Sequence, residues 1–391
     1  MNIQKNISRL ILPVFLLTVC SLLYGKDKKA DSDRTSVSIS AVGDIMLHDS
    51  QLEAARDPVN GTYDFSGVFK PVKTLLSAAD LTVGNLETTF PGDTALIGGY
   101  PRFGAPDTLA HNLKIAGFDI LATANNHCCD TGPSGFAHTL DVLDKNGIFH
   151  LGTYRSKKEF LNNRFLMIEK NGLRLAFLNY SYGVNSMPVP KGACVNRIRE
   201  SQIIEDIRLA RSQKPDAIIA IMHWGKEYQR KSGMDQKQLF YLLIKEGVDV
   251  ILGSHPHVIQ PYAMYMAPDR YGTDKPRLII FSLGNFLSNQ RERYRNGGII
   301  FNFTLEKSGK QNHGQIKISN VHYIPVWVYR KETSGRPEFY LLPVRQYINN
   351  DQAIRLSKTD FERMKQFYED TKSHLRNSEL QVDHFFSSFT K

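Results

Sequence analysis

The residues of this sequence that could do chemistry arrive in small clusters, each directly after an apolar run. Asn125-Asn126-His127, with Asp130 just beyond, follows the run 118–122, so two amides, an imidazole and a carboxylate come together where a buried strand would end. Asn and Asp are also common turn residues, and alone the stretch would read as a polar loop. Its company says more. Gly43-Asp44, with His48 four residues on, follows 37–42; Asn85 and Glu87 follow 81–83; His223, Trp224 and Glu227 follow 217–222; His255-Pro256-His257 follows 248–252; and Asn285 follows 278–281.

His255-Pro256-His257 is the sharpest of these. Residues two apart in extended backbone point the same way, so both imidazoles can face one centre, with Pro256 stiffening the link. Together with Asp44, Glu87, Asn126 and His223 they predict a metal site, and carboxylate and imidazole donors suit manganese, iron or zinc. None of the four cysteines is needed as a ligand, which argues against a structural thiolate zinc. Two divalent ions about 3.5–4 Å apart can activate water for in-line attack on phosphorus, and Glu87 is the candidate carboxylate to bridge them. His127, beside Asn126, would then protonate the leaving oxygen; otherwise it is a hydrogen-bonded loop histidine.

Further residues carry two readings each. His48, with Asp49, faces the site or belongs to a solvated turn. Glu227 orients a metal-binding histidine, as carboxylates behind ligands often do, or is a surface charge. Asn285 lines the floor of the site or closes a turn. Arg102 could grip an anionic substrate group, and Asn85 and Asn125 are amides available to substrate or to the ligands.

Elements must bring these clusters together. Short runs rich in branched apolar residues at 37–42, 81–83, 118–122, 173–179, 217–222, 248–252, 278–281 and 298–303 read as strands. Helix-period segments lie between several of them, at 72–79, 108–116, 136–145, 201–212 and 236–245. Gly117, Gly147 and Gly247 stand where helix stops are expected. This alternation predicts an α/β fold, and in open α/β sheets ligands bind at the carboxyl ends of strands. After residue 307 the pattern changes to a turn at 308–314, strand-like runs at 321–328 and 339–344, and an amphipathic helix. A Thr359-x-x-Glu362 capping box would open that helix, with Phe361, Met364, Phe367 and Tyr368 on one side. The expected organisation is a main domain over 36–307 and a small α+β extension over 308–391 packing on it.

With 391 residues, 41% hydrophobic and 23% charged, the chain has a globular composition. Its formal charge of +10 suits an acidic partner. No run of basic residues interleaved with aromatics speaks for nucleic acid. Residues 1–25 read as an export signal, with Lys5 and Arg9 before an apolar stretch at 10–23. That stretch is short of the roughly 20 residues a spanning helix needs. Residues 26–35 read as a flexible leader. Leu17-Thr18-Val19-Cys20 also resembles a lipoprotein signal, which would attach the chain to a membrane through a lipid on Cys20. The expected location is the periplasm or cell envelope. Of the remaining thiols, Cys128, Cys129 and Cys194, all are expected buried and free; a bond from Cys194 to Cys128 or Cys129 is the alternative.

The ordered set Gly43-Asp44, Asn85-x-Glu87, Asn125-Asn126-His127, His223-Trp224-Gly225 and Gly253-Ser254-His255-Pro256-His257 resembles the CapA family of capsule (poly-γ-glutamate) synthesis proteins, within the calcineurin-like metallophosphoesterase superfamily. The resemblance covers about residues 38–305. It implies a four-layer αββα sandwich with two metal ions at the strand ends, Asp44, Glu87, Asn126, His223, His255 and His257 in the ligand places and His127 in the acid place. Where the superfamily usually has Asp-x-His and Gly-Asp, this chain has Asp44-Ile45-Met46 and Asn85-x-Glu87, which implies that one ion is less fully ligated.

Three functions follow as expectations. The first is an exported metal-dependent hydrolase or transferase acting on a phosphoester or an acidic envelope polymer, with a capsule synthase complex as possible company. The second is a non-catalytic envelope factor that binds an acidic polymer or a synthase partner. The third is a nucleotide phosphodiesterase, for which Trp224 and Tyr228 would have to supply an aromatic clamp.

Overall fold

The computed structural model describes residues 34–185, 187–272, 274–308, 316–349 and 354–376. The expected export segment with Cys20, nearly all of the leader and most of the turn after residue 307 lie outside them. Among the described residues one sheet has eight strands: β1 (Arg34–Ile45), β2 (Leu81–Leu86), β3 (Ile120–Ala122), β4 (Phe149–Leu151), β13 (Asn285–Leu287), β14 (Gly297–Ser308), β15 (Ile316–Lys331) and β16 (Glu338–Pro343). A second has six: β6 (Leu166–Lys170), β7 (Leu173–Ser181), β9 (Ala217–His223), β10 (Val250–Ser254), β11 (Tyr262–Pro268) and β12 (Asp274–Ile280). The short β5 (Thr153–Tyr154) and β8 (Cys194–Val195) pair with each other.

The period-2 pattern explains the layering. Along β9, Ala217, Ile219 and Ile221 point into an apolar layer shared with Val37, Ile39 and Ala41 of β1. Ile218, Ala220 and Met222 face the other way, onto Ile203, Ile207, Leu239 and Leu243 of the helices Glu200–Ser212 and Met234–Glu246. On the far side of the larger sheet, Val42 and Ile45 meet Leu109, Leu113, Val142 and Leu143 of the helices Thr108–Ala116 and Gly132–Lys145. Strands buried on both faces lose polar alternation, which is why they read as continuous apolar runs. The result is helix, sheet, sheet, helix: the four-layer αββα sandwich.

β1, β2, β3 and β4 run parallel in the first sheet, and β7, β9, β10 and β12 run parallel in the second. Their carboxyl ends meet at one edge. Gly43 permits that meeting, since a Cβ there would lie 1.9 Å from the Gly284 carbonyl oxygen, whose position is used by the Asp44 N–H at 3.0 Å. β15 and β16 continue the eight-stranded sheet beyond β14, and the helix Lys358–Arg376 seals the inner layer with Met364, Phe367 and Leu375.

Several expectations need correction. The last helix is opened by Ser357, whose Oγ accepts the Asp360 N–H at 3.1 Å; Thr359 lies inside the first turn, so the cap sits two residues earlier. The strand expected at 248–252 is Val250–Ser254, carrying Ser254 into the site. The helix expected at 72–79 is only Lys73–Leu76. β6 and β11 were not legible as strands; they are edge strands whose partly exposed faces break the apolar runs.

Candidate metal centre

Asp44 ends β1, Glu87 follows β2, Asn126 follows β3, His223 ends β9 and His255 follows β10. Residues spread over more than two hundred positions of chain thus share one buried corner. Single ligand atoms from Glu87, His223 and His255 lie within 4.8 Å of one another, and so do those from Asp44, Glu87 and His257. Glu87 belongs to both groups. Its Oε1 is 3.5 Å from His223 Nε2 and 3.7 Å from His257 Nε2.

The surrounding bonds orient these donors. Asn85, paired with Asp44 in the β1–β2 register, donates from Nδ2 to Asp44 Oδ1 at 2.8 Å. His257 Nδ1 lies 3.0 Å from Asp44 Oδ2 and 3.1 Å from Asn285 Oδ1, which leaves its Nε2 turned to Glu87. His223 Nδ1 meets Ser254 Oγ at 3.1 Å, and its Nε2 lies 2.6 Å from Asn126 Oδ1. Asn125 faces inward instead: its amide donates to the Leu86 carbonyl at 2.6 Å and its Oδ1 accepts the His127 N–H at 3.0 Å. Asn125 therefore shapes the loop that presents Asn126 and His127.

The His255-Pro256-His257 geometry corrects the expectation of an extended link. Both histidines are left-handed, at φ 93° and 55°, a conformation costing of order 1–3 kcal/mol at a non-glycine residue. The two imidazoles still face one centre, with ring centres 5.9 Å apart. The turn is held by the His255 N–H, 3.3 Å from both Asp44 oxygens, and by the Tyr228 N–H donating to the Pro256 carbonyl at 2.7 Å.

Electrostatically the corner is poised for cations. Both Glu87 oxygens and His255 Nδ1 are buried without a hydrogen-bond partner. Burial, then the charge of Asp44, pushes the Glu87 carboxyl well above the usual carboxylate range. Burial, then His255 and His257, holds His223 well below the usual imidazole value, and burial with His257 takes His255 down to about 3. Two buried carboxylates among neutral imidazoles need a proton or a cation between them. The donor set fits divalent ions with nitrogen and oxygen preference.

The remaining candidates sort by place. His127 Nδ1 is 2.6 Å from Asp130 Oδ2, and its Nε2 is 3.3 Å from Asn185 Nδ2. His48 is half-buried against Phe103, takes the Asn289 N–H on Nδ1 at 3.2 Å, and is held down to about 4 chiefly by burial. Glu227 is exposed and lies within ligand reach of His255 and His257, so it does not stand behind His223. Arg102 is exposed on the loop whose Phe103 ring packs on His127, and it makes no ion pair with the described residues. Trp224 is 2% exposed, with its indole N–H on the Phe281 carbonyl at 2.9 Å; it is core, not half of a clamp. Cys128 and Cys129 are buried and free, their sulfurs 3.8 Å apart, and Cys194 is half-buried and free.

Three residues were not singled out from sequence: Asn179, Tyr182 and Asn185; Asp130, already noted beside His127, is the partner that fixes its ring. Asn179 lies near the end of β7 and Tyr182 directly follows that strand. Asn179 Oδ1 accepts the Ala124 N–H at 2.8 Å, and the Tyr182 ring lies 4.5 Å from that of His255. Asn185, from the loop beyond, joins Asn126 and His127 through its amide.

Comparison with known proteins identifies the family. The family model for bacterial capsule synthesis protein PGA_cap matches residues 38–290. Capsule biosynthesis protein CapA of Bacillus anthracis is 25% identical over 291 residues, covering 71% of this chain and 66% of that protein. PGA biosynthesis protein CapA of Bacillus subtilis (strain 168) is 25% identical over 313 residues, covering 78% of each. Among solved structures, the Haemophilus influenzae NAD nucleotidase NadN superposes with a TM-score of 0.50 at 14% identity, covering 91% of this chain and 67% of that one. That last likeness speaks for the fold alone.

Proposed function

This chain belongs to the bacterial capsule synthesis protein family, and from that premise we propose that it is an exported, metal-dependent hydrolase or transferase acting on a phosphoester or related linkage of an acidic envelope polymer. The observation that carries the reading is Glu87: a fully buried carboxylate with both oxygens unpartnered, shared by two groups of potential ligands. A residue so placed is costly without a cation and suited to bridge two. Glu87, His223, His255 and Asn126 would hold one divalent ion, and Asp44, Glu87 and His257 the other. Bound ions would supply charge neutralisation and polarise the reacting oxygen.

The chain's own residues do the rest. Asp44, Asn85 and Asn285 fix the His257 ring and keep its Nε2 toward Glu87. Asp130 holds His127 by Nδ1, so its Nε2 is the nitrogen from which a proton would pass to the leaving oxygen. Phe103 covers the same ring at 4.7 Å and shields it from water.

Elemental analysis of the purified protein and of a His255→Ala, His257→Ala double variant, read with hydrolysis of an aryl phosphodiester, tests this. About two transition-metal ions per chain, lost in the variant together with turnover, are expected. A parent protein that takes up no metal after reconstitution with manganese, iron or zinc overturns the reading.

A further inference from the structure

The segment 288–296 between β13 and β14 is tied to the metal-binding corner: Asn285, which bonds His257, also donates to the Arg295 carbonyl at 2.7 Å. Along it Arg291, Arg293 and Arg295 alternate with Glu292 and Tyr294. Arg295 lies 3.4 Å from the centre of the Tyr228 ring, and Tyr228 in turn lies 6.1 Å from the His257 ring. Tyr294 carries two guanidinium groups, Arg230 at 4.0 Å and Arg293 at 4.9 Å. Both tyrosines are left-handed, at φ 66° and 76°, so the backbone is bent to present them.

Past Tyr294 the segment closes over a cavity of about 270 Å³ against β15 and the last helix, lined by Arg291, Arg293, Arg363, Asp370 and Trp327 among others. Asp370 neutralises Arg293, at 2.8 and 2.7 Å. Arg291 has the Val328 carbonyl at 2.8 Å, and Arg363 comes no nearer than 3.9 Å to Asp360. The indole N–H of Trp327, wholly buried, has no partner. Two under-compensated guanidiniums around one cavity are what an oxyanion needs, and arginine offers it paired N–H donors.

We propose that the metal-binding corner and the arginine cavity are two stations on one track for a linear polyanion, with the reacting linkage at the Glu87 corner and neighbouring anionic groups on Arg295 and in the Arg291–Arg293–Arg363 cavity. The track rests on the function proposed above for which bond is cut, not for binding. Guanidinium groups already cover Tyr228 and Tyr294, so recognition along it is by charge rather than by stacking of bases.

The test is fluorescence anisotropy with two labelled probes, short poly-γ-glutamate and inorganic polyphosphate of matched charge, titrated with the full chain at rising salt. The parent is expected to bind at least one probe, more weakly as salt screens the contacts. Arg291→Ala with Arg363→Ala is expected to lower affinity about tenfold, or about 1.4 kcal/mol. Lys157→Ala with Lys158→Ala, which removes the same charge elsewhere, is expected to leave it unchanged. Should the double arginine variant fold poorly, Arg363→Glu alone gives the same sign, since that side chain is 64% exposed. The probe that responds identifies polycarboxylate or polyphosphate as the source of the anions. Binding of neither probe, equal binding by parent and arginine variants, or an equal loss in the lysine variant overturns the track. Aryl phosphodiester hydrolysis by the parent is read separately, so its absence strikes the proposed reaction and leaves the binding result intact.

Discussion

Asp130 Oδ2 lies 2.6 Å from His127 Nδ1 and also accepts the Phe103 N–H at 2.8 Å. One carboxylate therefore fixes both the imidazole and the loop that covers it. His127→Ala should abolish phosphodiester hydrolysis while metal content, read by elemental analysis, stays at the parent level. Asp130→Asn should lower kcat roughly 10–100-fold, as loss of a partner behind a functional group does, with KM little changed. A matching rise in KM would instead assign Asp130 to substrate binding.

Glu87 gives a pH prediction with a definite sign. Its folded-state carboxyl titrates well above the ordinary value, so between the two the folded chain binds more protons than the unfolded chain, and stability falls as pH rises. Chelator-treated parent should lose thermal stability relative to chelator-treated Glu87→Gln as pH is raised above about 4.5. Because a bound metal would displace this proton, calorimetric titration in buffers of different ionisation enthalpy should show proton release on metal uptake. Uptake with no buffer dependence would mean that Glu87 is already ionised.

His374 moves the other way. Its Nε2 donates to the Arg230 carbonyl at 3.0 Å, and burial, then the Arg230 charge, holds the imidazole down to about 4. The unfolded chain takes up the proton first as pH falls below about 6.5, so this contribution to stability is complete above that value and lost on the way to 4. His374→Gln should narrow the difference in urea midpoint between pH 7 and pH 4.5. An unchanged difference would assign the acid sensitivity to the other buried histidines.

Much of the architecture was legible because strands buried on both faces must be apolar at every position, as β9 is from Ala217 to Met222. The corner was legible for a related reason: where such a strand ends in Asp44 or His223, no packing demand explains the polar residue. Sequence was silent where function depends on spatial neighbours with ordinary local roles. Tyr182 follows a strand like many tyrosines, and Asn185 sits in a loop where asparagine is commonplace. The direction of the His255 and His257 rings depends on left-handed backbone that the Pro256 spacing does not reveal.

Gly43 tests whether the strand ends must approach so closely. A methyl group there would meet the Gly284 carbonyl at 1.9 Å, with backbone on both sides and no flexible side chain to yield. Gly43→Ala should destabilise the chain by about 1–3 kcal/mol or more, seen as a lower thermal midpoint. Since Asp44 is the next residue, metal affinity should fall as well. Parent-like metal content in a folded variant would show that the corner tolerates a wider gap between β1 and β13.

Tyr182 offers the cleanest separation of binding from fold. Its ring is 48% exposed, lies 4.5 Å from His255, and runs nearly parallel to His223 at 6.2 Å. Little core packing depends on it, so Tyr182→Ala should leave the unfolding free energy within about 0.5 kcal/mol of the parent. If the ring forms one wall for the group leaving the metal corner, its loss removes contacts made equally in the bound substrate and the transition state. KM should then rise several-fold with kcat nearly unchanged, and Tyr182→Phe should restore it, because the ring face and not the hydroxyl makes the wall. Equal losses in kcat and kcat/KM, unrelieved by Phe, would place the hydroxyl itself in the reaction.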